Sequence, residues 1–99
     1  MNIEISKKAF EDIENIWLYT LEVWSKEQAD RYYNLIIDEI EYIAANPLAG
    51  RDVSRIRNNY RCSKVKSHLI FYKYTKTEQK VVITRILHQS MDIEERLTE

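Results

Sequence analysis

"YIAANPLAG", Tyr42 to Gly50, is where the chain changes its period. Before it, apolar residues recur at steps of three or four; after it, they recur at every second position. Asn46 precedes Pro47, and a residue before proline resists the helical region, so the preceding helix ends here. The junction therefore divides a helical half from a strand half and implies an α+β fold.

Reading back from the junction, Ala29, Tyr33, Ile36, Ile37, Ile40, Ile43 and Ala44 form one helical stripe. "SKEQ", Ser25 to Gln28, fits a capping box that starts this helix. Upstream, Phe10, Ile13, Trp17, Leu21 and Trp24 make a second stripe, with Glu11, Asp12, Glu14 and Glu22 off it. Helices near Lys7–Trp24 and Lys26–Ala45 then pack as an antiparallel hairpin with both stripes in the core. The two tryptophans and most tyrosines belong to the core or its edge by the same reasoning. "NIEIS", Asn2 to Ser6, reads as a short strand that Ser6 ends by capping the first helix, with Ile5 and Phe10 placed for a hydrophobic staple.

Reading forward, "YRCSKV", "HLIFYKY" and "KVVITRILH" are rich in β-branched and aromatic residues, which gives strands at Tyr60–Val65, His68–Tyr74 and Lys80–His88. "KSH" and "TKTEQ" supply the turns, and "MDIEERL" a terminal helix. The expected order is β-α-α-β-β-β-α in one domain spanning residues 1–99: a helical hairpin on one face of a three- to four-stranded antiparallel sheet. The opposite face of the sheet is where a site is expected.

Among 99 residues, 44% hydrophobic and 31% charged with one Gly and one Pro, disorder and low-complexity linkers are excluded. Cys62 has no second cysteine to pair with and reads as a small strand residue; no apolar run suits a signal peptide or membrane span. A reduced, cytoplasmic protein without membrane contact is expected. Net charge is −1 but uneven. Residues 1–46 carry four cationic against ten acidic side chains, net −6; residues 47–67 carry six against one, net +5; the rest balances. The basic segment suits an anionic surface, the acidic helices of its own chain, or an acidic protein.

"VVITRILHQSMD", Val81 to Asp92, begins as buried strand and then inserts Arg85. A guanidinium there requires a partner, either an internal carboxylate, with Asp92 and Glu95 as candidates, or an external target. Alternation puts Arg85 and Leu87 on one side with Val81 and Ile83, and His88 on the other with Ile86. Arg85 and His88 converge only if the strand bends or ends near Leu87. His88 reads more readily as a satisfied structural histidine than as an acid.

The ordered set of an early helical hairpin with "QADRYY", the "NPLAG" stop, the "YR" opening of the meander, the "HLIFYKY" strand and the terminal "ITRILHQSMD" resembles the ParE branch of the ParE/RelE toxin superfamily over nearly the whole chain. The resemblance implies the toxin of a type II toxin–antitoxin module. It implies a cognate, ParD-like antitoxin whose disordered part folds on the toxin and whose N-terminal part binds operator DNA, so that the toxin meets the operator only through it. ParE-like members act on DNA gyrase; RelE-like members cleave mRNA on the ribosome. A metal-independent nuclease would draw on Arg61, Arg85 and His88, but Gln89 cannot transfer protons, and a pI of about 6.1 suits ribosomal RNA poorly. "RILHQSMD" looks more like the gyrase-directed branch, with no catalytic residue, metal or cofactor. Arg85, His88, Gln89 and Met91 then meet the target together with Arg61. An inert toxin fold that only binds its antitoxin is the third reading.

Overall fold

The computed structural model describes residues 2–98. Strand β1 (Asn2–Ile5) leads into helices α1 (Lys7–Val23) and α2 (Lys26–Ala45), followed by β2 (Arg51–Asp52), β3 (Tyr60–Val65), β4 (His68–Thr75), β5 (Lys80–His88) and α3 (Ile93–Leu97). The sheet order is β1-β5-β4-β3-β2. It has five strands rather than three or four, because Arg51 and Asp52 of the basic segment pair with Cys62 and Arg61. The meander β3-β4-β5 is antiparallel as expected, but β1 joins β5 in parallel, Ile3 beside Val81 and Ile5 beside Ile83. That direction delivers Ser6 to β5. There its N–H donates to Ile83 O (2.9 Å), its hydroxyl donates to Thr84 O (2.9 Å), and Oγ accepts from Ala9 N (3.1 Å) to cap α1.

The hairpin lies on one face of the sheet. Ser25 caps α2 by accepting from Gln28 N at 3.1 Å, and Trp17 Nε1 donates to Asp30 Oδ1 at 2.9 Å to tie the two helices. The face α1 turns to the sheet is rotated from the expected stripe: Ile13 is buried and Trp17 and Leu21 partly so, as expected, but Ala9 is buried and Ile16 packs on the core, whereas Phe10 is 59% and Trp24 73% exposed. A helix lying close on a sheet needs a small residue at the contact. Ala9 supplies it, which turns the bulky positions outward. Ile5 packs on the main core while Phe10 points away from it. In α2, Ala29, Ile36, Ile40 and Ile43 are buried, but Tyr33 is exposed and Tyr32 takes its place against the core.

"NPLAG" does more than stop α2. The Tyr72 hydroxyl of β4 donates to Pro47 O (2.9 Å) and accepts from Gly50 N (2.9 Å), so the loop is clasped to the middle of the sheet. A Cβ at Gly50 would lie 2.3 Å from that hydroxyl, which is why this position carries none.

The sheet's other face is not left open. Val53, Tyr60, Cys62, Phe71, Leu87 and Leu97 form a second, smaller core under α3 and the loop after β2. Leu87 reaches it because of a β-bulge. Phe71 pairs with Arg85 but Tyr72 with Ile83, so Thr84 is an extra residue whose hydroxyl donates to Phe71 O at 3.0 Å. Beyond the bulge the alternation reverses: Ile86 joins Val81 and Ile83 under the helices, and Leu87 crosses to the far side.

Candidate functional site at the end of β5

The bulge is also what builds the site. Beyond it Arg85 shares Leu87's side of the sheet, opposite Phe71, yet its side chain, at 15% exposure, reaches round to α1, where Nε and Nη2 meet Asp12 Oδ2 and Oδ1 at 2.8 and 3.0 Å. Asp12 Oδ2 also accepts from Ile86 N at 2.9 Å, and Arg85 Nη1 donates to Arg96 O at 3.2 Å. Arg85 is thus a junction of α1, β5 and α3. Among the described residues its carboxylate partner is Asp12 rather than Asp92 or Glu95: Asp92 caps α3 by accepting from Glu95 N (3.2 Å), and Asp12, expected off the apolar stripe, is itself 13% exposed.

The same reversal brings His88 beside His68 on β4, with ring centroids 5.2 Å apart and planes at 88°. Their hydrogen bonds assign the tautomers. The Ser90 backbone N–H approaches His88 Nδ1 at 3.1 Å, so that nitrogen accepts, and neutral His88 carries its proton on Nε2. The Tyr32 hydroxyl has one proton and two neighbours, Val65 O (3.1 Å) and His68 Nδ1 (2.6 Å). A carbonyl can only accept. Both contacts are satisfied when the hydroxyl donates to Val65 and His68 Nδ1–H donates to the hydroxyl, leaving His68 Nε2 as an acceptor. The pair offers one donor and one acceptor. Burial, then electrostatic repulsion from the neighbouring His88 ring whenever that ring is protonated, push the His68 pKa down to about 4, with Asp12 opposing, so His68 is neutral at pH 7.

Asp12, Tyr32, His68, Arg85 and His88 line a cleft of about 850 Å³ between α1 and the end of β5, with Tyr19, Trp24 and Met91 at its rim. Tyr19 and Trp24 are 65% and 73% exposed. Gln89 is exposed, and its N–H donates to Ser67 O (2.8 Å), which holds the strand end against the β3–β4 turn; Met91 N donates to His88 O (3.0 Å). Arg61 stands apart. It lies on β3, and its Nη1 donates to Gly50 O at 2.9 Å and Leu48 O at 3.4 Å, so the structure unites Arg85, His88 and Met91 but not Arg61. Sequence reasoning passed over Asp12, Tyr32 and His68. The available signals were a carboxylate next to buried Ile13 and a histidine opening a strand. Among the described residues no three His, Cys, Asp or Glu side chains converge as a metal site, and no helix is long and apolar enough to cross a membrane.

This helical hairpin on a five-stranded sheet, with an ion pair locking α1 to β5 beside the cleft, is a fold shared with solved toxin–antitoxin structures. The chain superposes with a TM-score of 0.76 on a structure described as the chromosomal ParDE system of P. aeruginosa, at 18% identity, over 89% of this chain and 95% of that one. It superposes with a TM-score of 0.69 on one from the toxin–antitoxin complex RelBE2 of Mycobacterium tuberculosis, at 15% identity, over 88% and 95%. Sequence narrows the class to a family. Residues 3–93 match the model of the ParE toxin of type II toxin–antitoxin systems. Toxin ParE1 of Mycobacterium tuberculosis is 37% identical over 93 residues, 94% of each chain, and Toxin ParE1 of Caulobacter vibrioides is 36% identical over 88 residues, 89% of this chain and 88% of that one. The chain belongs to the ParE toxin family.

Proposed function

We propose that this toxin arrests growth by poisoning DNA gyrase, and that a cognate ParD-like antitoxin neutralises it and carries the contact with operator DNA. The observation that supports the gyrase reading is the form of the cleft. Its buried Asp12 and Arg85 are spent on one another and His68 is neutral, while its rim exposes Tyr19, Trp24 and Met91. Such a surface suits recognition of a protein better than proton transfer. His88, Gln89 and Met91 meet the target at the strand end, and Arg85 positions them from below. Arg61 lies on another part of the sheet, which removes one of the three groups that metal-independent mRNA cleavage would need.

The antitoxin reading is supported by apolar surface that the chain leaves uncovered on its helices, including Phe10, Leu18, Tyr19, Val23 and Trp24. A disordered segment folding there should bury roughly 1,000–3,000 Å² and show a clearly negative heat-capacity change in calorimetry. The gyrase reading is tested with purified toxin in supercoiling and DNA-cleavage assays. Wild type should trap cleaved DNA and the His88→Ala, Met91→Ala double variant should not, while remaining folded. Wild-type toxin that leaves gyrase untouched and cuts ribosome-bound mRNA would overturn it.

A further inference from the structure

We propose that the sheet face opposite the helical hairpin docks the sugar–phosphate backbone of duplex DNA, and that it grips the DNA held by gyrase; only this second clause rests on the gyrase reading. The basic segment does not neutralise itself against the acidic helices. The described ion pairs join Lys26 to Asp30, Lys80 to Glu4 and Arg85 to Asp12, and none uses a cation from residues 47–67. Register then places the free charges. Arg51 pairs with Cys62 and Lys73 with Tyr60, and Cys62 and Tyr60 belong to the second core; Lys64 alternates with Cys62 and so shares its face. Arg55 belongs to the loop after β2 whose Val53 and Ile56 pack on that core, and Arg57 of the same loop donates Nη1 to Leu97 O at 2.6 Å. Arg57 and Lys73 flank the Tyr60 ring at 5.6 and 5.9 Å. Arg51, Arg55, Lys64 and Lys73 are all exposed. Lys64 and Lys73 are offset by four residues along adjacent strands, roughly 13 Å, about four base-pair steps along a duplex axis.

The chemistry of the face selects its partner. A protein interface needs an apolar centre, but the apolar residues here are consumed by α3 and the loop, and the large exposed hydrophobics lie on β1, the helices, the loop before β2 and the strand end. Phosphate contact needs only cations. Single strands would need an exposed aromatic platform, and Tyr60 is 8% exposed. The carboxylates nearby are Asp52, which accepts from Ser54, and Glu94 and Glu95 at the first turn of α3. They border the cationic row without pairing to it.

The test uses full-length toxin purified from its antitoxin complex, a fluorescent 20-base-pair duplex, and the fourfold variant Arg51→Gln, Arg55→Gln, Lys64→Gln, Lys73→Gln. Wild type should bind the duplex with log K falling against log salt at a slope of roughly −3 to −4, for about four phosphates. The variant should lose at least tenfold in affinity at low salt, keep its thermal midpoint and antitoxin affinity, and poison gyrase at least tenfold less. A variant that binds duplex as wild type does, or a wild type that binds none at low salt, overturns the proposal. So does a variant whose main loss is antitoxin affinity, which would give this face to an acidic segment of the antitoxin, and so does preference for duplex RNA. Wild type that binds duplex with the expected slope but leaves gyrase unaffected would sink the gyrase reading alone and uphold the DNA face.

Discussion

Replacing Asp12 with alanine removes the carboxylate that, among the described residues, holds Arg85 at two points, and the structure sets the size of the effect. The pair is bidentate at 2.8 and 3.0 Å, with both side chains about one-seventh exposed or less. An exposed pair would be worth at most about 1 kcal/mol. A buried pair broken from one side costs about 3–5 kcal/mol, because a charge is left behind. Asp12 also accepts the Ile86 N–H, whose loss adds about 1 kcal/mol or more, while Arg96 O still receives Nη1 and softens the loss. We expect destabilisation of about 3–4 kcal/mol, a large share of the roughly 5–15 kcal/mol that holds a small domain. At about 4–8 °C per kcal/mol for this length, the melting temperature should fall by roughly 12–30 °C. Thermal and urea unfolding of the variant measure it. The double variant Asp12→Leu, Arg85→Met removes both charges and should recover most of the loss. A single-variant loss below about 1 kcal/mol, or a double variant no better than the single, would refute the account of Arg85 as a buried junction.

The remaining expectations are smaller. His68 is held neutral to about pH 4 in the folded state, against 6.5 for a free histidine. Between those values the unfolded chain binds more protons, so stability contributed by His68 is complete above about pH 6.5 and is lost as pH falls toward 4; a His68→Gln variant should show a flatter melting-temperature profile over that window. Gly50→Ala drives a methyl into the Tyr72 hydroxyl and should cost about 1–3 kcal/mol in urea unfolding, with Tyr72→Phe relieving part of the penalty in the double variant. Trp24→Ala, at a fully folded and 73% exposed position, should weaken antitoxin binding at least tenfold by calorimetry without lowering the melting temperature.

Local information determined the elements of this protein. The capping serines Ser6 and Ser25, the Asn46–Pro47 stop and the change of period after Gly50 act within a few residues, and they placed α1, α2 and β3 to β5 within a residue of where they lie. The family, too, was legible, because the ordered motifs span the chain. What only tertiary structure decided is which side of each element faces in. Phe10 and Trp24 sit on an apolar stripe as regular as any core stripe, yet they are exposed because Ala9 meets the sheet; periodicity reports that a stripe exists, not its contact angle. The parallel pairing of β1 with β5 joins residues about eighty positions apart, beyond any local signal. The bulge at Thr84 has the same origin. It arises from how β5 fits β4, and a single extra residue reverses every side chain after it. That reversal sent Leu87 under α3 and set His88 against His68, while Arg85 reaches Asp12 from Leu87's side of the strand, and so the cleft exists only where two strands and a helix, distant in sequence, meet in space.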